Sequence, residues 1–190
     1  MSVTGFIILG MIAVMAMLFI VIYNRLVSLK HAVSKAWSNI DVLLKQRHDE
    51  LPKLVETCKQ YMKHERETLE SVMLARSGVS SAAESSDMAA LGKAETKMRQ
   101  GLMNLFAVAE AYPDLKANGT FHNLQNRISE LENVIADRRE FYNESVNVNN
   151  VRLEQFPDIL VARWFAFKSF ELLEFEAIEI SDISVKKLFD

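Results

Sequence analysis

The sequence predicts an all-α protein: a long antiparallel bundle of four to five helices, with an N-terminal transmembrane helix continuing into it. Three observations carry that expectation. Residues 3–23 hold 18 apolar residues in 21 and no charge. Only four glycines and three prolines follow in the remaining 167 residues. The apolar residues there recur in alternating steps of three and four, the period of a helix that packs one face on its neighbours.

The first element is the apolar run. At about 1.5 Å per residue it is about 31 Å long, matching a hydrocarbon core of about 30 Å. A cleavable signal peptide needs a basic stretch ahead of a shorter apolar run and a small-residue cleavage site. Here no Lys or Arg precedes the run, and Tyr23, Asn24 and Arg25 follow it. Residues 1–24 therefore read as a retained anchor, contacting the lipid bilayer through residues 3–23. Arg25, Lys30 and Lys35 lie on one side and no basic residue on the other. The positive-inside rule then puts the N-terminus outside, and the bundle (25–176) and tail (177–190) in the cytoplasm, at a bacterial inner membrane.

The helices expected after the anchor follow three stripes. The first runs Val33, Trp37, Ile40, Leu44, then Leu51, Leu54, Cys58, Tyr61; the second Met88, Leu91, Met98, Leu102, Leu105, Ala109, Tyr112; the third Leu124, Ile128, Leu131, Ile135, Arg138, Tyr142. Trp37, Leu44, Leu105, Leu131 and Ile135 are expected to be nearly inaccessible. Helices are expected at about 4–48, 50–77, 87–111, 119–155 and 158–176. Asp49 ahead of Leu51 and Pro52 marks a kink or a new start, with the anchor helix running on through it as one rod. Residues 78–87 are small and polar and read as a surface loop, with Ser86 or Asp87 capping the next helix. Pro113 marks a stop, Thr120 a candidate cap, and Pro157 the boundary before the last helix. That last helix is apolar on most sides, so it must be buried on several faces or meet a partner or lipid. Residues 178–185 partly alternate and read as extended.

Chemistry finds little support. The net charge of −3 argues against a nucleic-acid binder held by bulk electrostatics. One cysteine, Cys58, excludes an internal disulfide, and its place in the first stripe makes it a small core residue. A helical bundle can house a di-iron site, but that needs Glu-x-x-His motifs. The residues three before His31, His48, His64 and His122 are Ser28, Lys45, Tyr61 and Gly119, none acidic. His48-Asp49 and His64-Glu65 are about 24 Å apart along a straight helix, too far for one ion. Ser80, Ser81, Ser85 and Ser86 have no neighbouring histidine. No catalytic, cofactor-binding or metal-ligating residue is therefore expected, and no cofactor.

Longer motifs point to a family. Tyr23-Asn-Arg-Leu-Val27, Ala36-Trp-Ser-Asn-Ile-Asp41, Leu43-Leu-Lys-Gln-Arg-His-Asp49, Leu51-Pro-Lys-Leu-Val-Glu56, Tyr61, His64-Glu65 and Ala75-Arg76 form a first block. Ala109-Glu-Ala-Tyr-Pro-Asp-Leu-Lys-Ala-Asn118 and Phe121 form a second; Glu132-Asn133, Arg138-Arg139, Tyr142-Asn143, Asn149 and Phe156-Pro157 a third. Over roughly residues 20–175 the chain resembles the LemA family. Gln46-Arg47 and Leu51-Pro52 stand where members often carry Arg-Arg and Ile-Pro. The resemblance implies an N-terminally anchored antiparallel helical bundle and implies no reaction.

Charges inside the stripes complete the reading. Arg138 stands where the third stripe wants an apolar residue, and Arg47 falls between Leu44 and Leu51; Asp41, Glu65 and Arg76 lie in the family-like blocks. A buried unpaired charge is costly, so these residues should pair across helices and fix register, or form a polar surface for a partner. The expected function is a non-catalytic, membrane-anchored scaffold or assembly protein that forms coiled-coil-like contacts, self-associates into a homo-oligomer and binds further proteins, without nucleic acid. The alternatives are a regulatory adaptor of another membrane protein or protease, and an enzyme of unrecognised type.

Overall fold

The computed structural model describes residues 3–85 and 87–175; Ser86 and the alternating stretch 178–185 lie outside them. Among the described residues six helices follow one another: α1 Val3–Lys59, α2 Arg66–Ser85, α3 Met88–Ala109, α4 Pro113–Lys116, α5 Gly119–Glu154 and α6 Asp158–Trp164. No strand occurs among the described residues. The all-α expectation holds, and the chain divides into two compact units, 1–47 with 129–173 and 48–128 with 174–190.

Helix α1 has 57 residues and no break at Pro52. The continuous rod is as expected; the boundary at 49–50 is not. A proline inside a helix removes the N–H that would bond to the carbonyl four residues back, here that of His48. Arg76 Nε donates to that same oxygen at 2.9 Å from α2. The phase of the buried row is then kept across the proline: Val33, Ala36, Ile40, Leu44, Arg47, Leu51, Leu54 and Cys58 are all buried. Trp37 departs from expectation. It is only half-buried, lying edge-on to Tyr142 at 6.0 Å between ring centroids.

In the unit of residues 1–47 and 129–173, α1 and α5 run antiparallel. Arg47 meets Glu132, Trp37 meets Tyr142, and Leu153 packs on the cluster of Leu26, Val161 and Ala162. Steps along α1 are thus matched by equal steps back along α5. Leu131, Ile135, Tyr142 and Val146 form the buried row of α5. Arg138, expected on that row, is exposed, and the row passes instead through the half-buried Arg139. Ile128, Leu131, Ile135 and Tyr142 of the third stripe are buried, so only that one position shifts.

The last helix is much shorter than the expected 158–176. It ends at Trp164, closed by Phe167 N donating to Ala162 O at 2.9 Å and Ala166 N to Arg163 O at 3.3 Å. This paired closure normally has glycine in the left-handed position. Ala166 occupies it with φ 52°, at a cost of about 1–2 kcal/mol. Residues 167–175 are neither helix nor strand.

In the unit of residues 48–128 and 174–190, α2 packs on α3. The expected loop at 78–87 is helix as far as Ser85, because Val79 and Ala82 are buried there. Asp87 caps α3 as expected, accepting from Ala90 N at 2.8 Å. The cap of α5 is Asn118 rather than Thr120: its Oδ1 accepts from Thr120 N at 2.9 Å and Phe121 N at 3.1 Å. The true break after α1 falls at residues 60–65, which hold no glycine or proline. There Asn118 Nδ2 donates to Tyr61 Oη at 3.0 Å, and Tyr112 Oη donates to Glu65 Oε1 at 3.0 Å.

The coupling of Arg76 to Pro52 is measurable. Arg76→Ala should cost about 1.5–3 kcal/mol in urea unfolding, since a charge-assisted bond to a half-buried carbonyl is lost. In a Pro52→Ala background, where the helical N–H is restored, the same change should cost less than half as much. Costs that add to within about 0.5 kcal/mol would show that the two residues act independently.

Candidate functional site

The segment after α6 is held by side chains of α5. Asn150 Nδ2 donates to Phe170 O at 2.9 Å while Phe170 N donates to Asn150 Oδ1 at 3.0 Å. Asn143 repeats the arrangement with Leu173, at 3.0 Å to its carbonyl and 2.8 Å from its N–H. Tyr142 Oη adds a bond to Glu171 O at 3.0 Å. A carboxamide has a donor and an acceptor, so each asparagine pairs with a backbone residue as a neighbouring strand would. Seven residues of helix cover about 10.5 Å, and three residues of extended chain about 10 Å. Asn143 and Asn150 therefore match Phe170 and Leu173. Sequence reasoning missed this strap; its signal was two asparagines seven apart in a long helix, where they are poor helix formers.

The charged candidates are distributed rather than gathered. Arg47 is 1% exposed and pairs with Glu132. Asp41 pairs with Lys45 on its own helix at 2.6 Å. Glu65 and Arg76 make the tyrosine and carbonyl contacts described above. Arg152 Nε lies 3.2 Å from the buried Asp158 Oδ1. Among the described residues no three His, Cys, Asp or Glu side chains come together as a metal-binding group.

Cys58 is fully buried, and burial pushes its thiol up from the ordinary 9.0 to about 11. A thiol held neutral is a poor nucleophile at physiological pH. Burial also raises the Tyr142 phenol, with a further rise from the Glu171 carboxylate. Tyr112 is raised by desolvation and by its bond to Glu65.

Two surface features stand out. A groove of about 730 Å³ runs between the end of α1 and α2, lined by Val55, Met62, Met73 and Leu74 together with Lys59 and Arg66. Leu74 in its lining and Met103 on α3 are exposed. In the other unit, Phe156, Leu160, Trp164 and Phe165 are exposed around α6. Phe165 packs on two residues of α1, Tyr23 at 4.7 Å and Phe19 at 5.8 Å between ring centroids.

Residues 3–59 form a helix long and apolar enough at its start to cross a membrane. The LemA family model matches residues 36–186. The chain is also similar to two proteins of Paramagnetospirillum magneticum strain AMB-1, magnetosome proteins MamQ 1 and MamQ 2. Each is 30% identical over 88 residues, which is 46% of this chain and 32% of the relative. The alignment thus spans about a third of those relatives' length.

Two outcomes follow from this geometry. Asn150→Leu should leave the Phe170 amide and carbonyl without their partner, speeding exchange of the Phe170 amide about 10–100-fold for a loss of about 1–3 kcal/mol. Unchanged protection would mean the asparagine does not hold the strap. For Cys58, the folded chain keeps its proton to about 11 and the unfolded chain loses it near 9.0. Stability is therefore unaffected by this group below about 9 and falls as pH rises from there to about 11. Cys58→Ala should flatten that part of the denaturation profile, and an identical alkaline slope in both proteins would refute it.

Proposed function

We propose that this chain, which belongs to the LemA family, is a non-catalytic scaffold or assembly protein anchored in the cytoplasmic membrane, with its bundle on the cytoplasmic side. The observation that carries this reading is the continuity of α1. One uninterrupted helix serves as candidate span and as bundle wall. Orientation rests on Arg25, Lys30 and Lys35, which follow the apolar run where none precedes it.

Contact surfaces suit such a role. Leu74 and Met103 are large apolar side chains left in solvent, and Leu74 lines the groove beside α2. Exposed apolar surface of this kind marks protein contact sites. A second copy is one expected occupant, because anchoring confines all copies to one plane and one orientation and raises their effective concentration. The partial likeness to magnetosome proteins agrees with this, since their names attach them to a cellular structure rather than to a reaction.

A photo-crosslinking residue placed at Leu74, and separately at Met103, tests surface and side together in living cells. Discrete adducts with cytoplasm-facing proteins or with another copy are expected. Adducts only with proteins outside the membrane would reverse the orientation. Absence of discrete adducts at both positions would remove the scaffold reading.

A further inference from the structure

We infer that the turn and helix formed by Phe156, Leu160, Trp164 and Phe165 are a second membrane contact, seated in the interfacial layer of the same bilayer leaflet that the end of the α1 span reaches. The inference rests on α1 being a membrane span. Its geometry comes from where Phe165 sits. Phe165 lies, with rings tilted, against Tyr23, the last residue of the apolar run, and against Phe19, one helical turn further in. One turn is about 5.4 Å of depth. If α1 is inserted as far as Tyr23, a ring that touches Phe19 cannot stand in bulk water. It lies at the boundary of the acyl chains.

The neighbouring side chains fit that depth. Trp164 is 81% exposed, Phe156 80% and Leu160 59%. Such exposure of aromatic and aliphatic groups is unfavourable in water, in proportion to the apolar surface left uncovered. It is the favoured state at a bilayer interface, where Trp and Tyr rings gather. The inward face of α6 is already satisfied: Val161 and Ala162 are buried against Leu26, with Ile22 and Phe167 beside them. What remains outward is continuous with the span through Phe165 and Tyr23.

Charge agrees. Arg163 and Lys168 flank the aromatic pair in sequence, and both are exposed. Lys168 and Lys30 line one open groove of about 620 Å³ together with Tyr23 and Phe165. Long cationic side chains at this level can extend to headgroup phosphates while their stems cover apolar surface. A soluble partner protein would not require the patch to coincide with the end of the span; the bilayer does.

The chain has two tryptophans, Trp37 and Trp164, so fluorescence reads the site directly. Full-length Trp37→Phe chain is reconstituted in vesicles of phosphatidylcholine and phosphatidylglycerol, with lipids brominated at shallow or deep acyl positions. Trp164 should emit blue-shifted light, be shielded from aqueous acrylamide, and be quenched most by the shallow bromines. Emission characteristic of water, open to acrylamide and untouched by bromolipid, would overturn the inference. So would blue-shifted emission that bromolipid leaves unquenched and that changes with the protein-to-lipid ratio, which means a second copy covers the patch. If Trp37→Phe fails to fold, the difference between the unaltered chain and Trp164→Phe gives the same reading. A Met11→Trp chain lacking both native tryptophans reports the anchor separately. Deep quenching there with none at Trp164 sinks the interfacial seat and leaves the span standing; no quenching at either position removes both.

Discussion

The bond from Arg76 to the carbonyl of His48 is the interaction on which the rest depends. Pro52 would otherwise break α1 in the middle of its buried row. A helix-interior proline costs about 3 kcal/mol or more through the lost bond and the ring's clash with the preceding turn. A guanidinium supplies a charge-assisted donor to the orphaned oxygen and offsets part of that cost. With the helix intact, Leu44, Arg47, Leu51 and Leu54 keep a common face. Arg47 then falls on a buried position by helical phase alone. Its pairing with Glu132 is the consequence, because a buried guanidinium without a carboxylate would be far more costly than the pair.

The asparagine strap shows a second way in which side chains stand in for backbone. Segment 167–173 has no strand neighbour, yet Phe170 and Leu173 have both backbone polar groups satisfied by α5. The strap fixes the chain that leaves α6 and so fixes the position of Phe165, next to the end of the apolar run. Ala166 in the left-handed region turns the chain sharply enough for this to happen. The strap therefore also determines which residues of the last segment face outward.

The readable parts of the sequence were those set by local periodicity and local caps. The apolar run, the second stripe from Met88 to Ala109 and the Asp87 cap are of this kind. The misread parts were decided by partners distant in sequence. Pro52 looks like a breaker until Arg76, 24 residues on, is placed beside it. Residues 60–65 have no breaker, and the chain turns there because Tyr61 and Glu65 meet Asn118 and Tyr112. Residues 78–85 look like a loop by composition, but burial of Val79 and Ala82 overrides weak propensity. The apolar residues of 158–176 suggested a helix apolar on most sides, but beyond Trp164 the chain is a strap in which Phe167, Phe170 and Leu173, every third residue, are the less exposed ones. Arg138 was assigned to the wrong phase by a single residue, and Arg139 took its place.

Several of the residues that made the family resemblance visible are held by contacts inside the molecule. Tyr61, Glu65, Arg76, Tyr112, Asn118, Glu132, Tyr142 and Asn143 each bond to another element. These contacts fix where the chain turns, how α1 registers on α5, and how the strap is held. They explain why the resemblance carries so much about the fold and so little about a reaction, since a side chain with its polar atoms committed internally has little left for a substrate. Leu74, Met103, Leu160 and Trp164 are in the opposite situation. They are exposed in the chain by itself and are not part of its buried core. Outward apolar positions of this kind, Phe156 of the third family-like block among them, are the surface that the fold leaves for contacts beyond the chain.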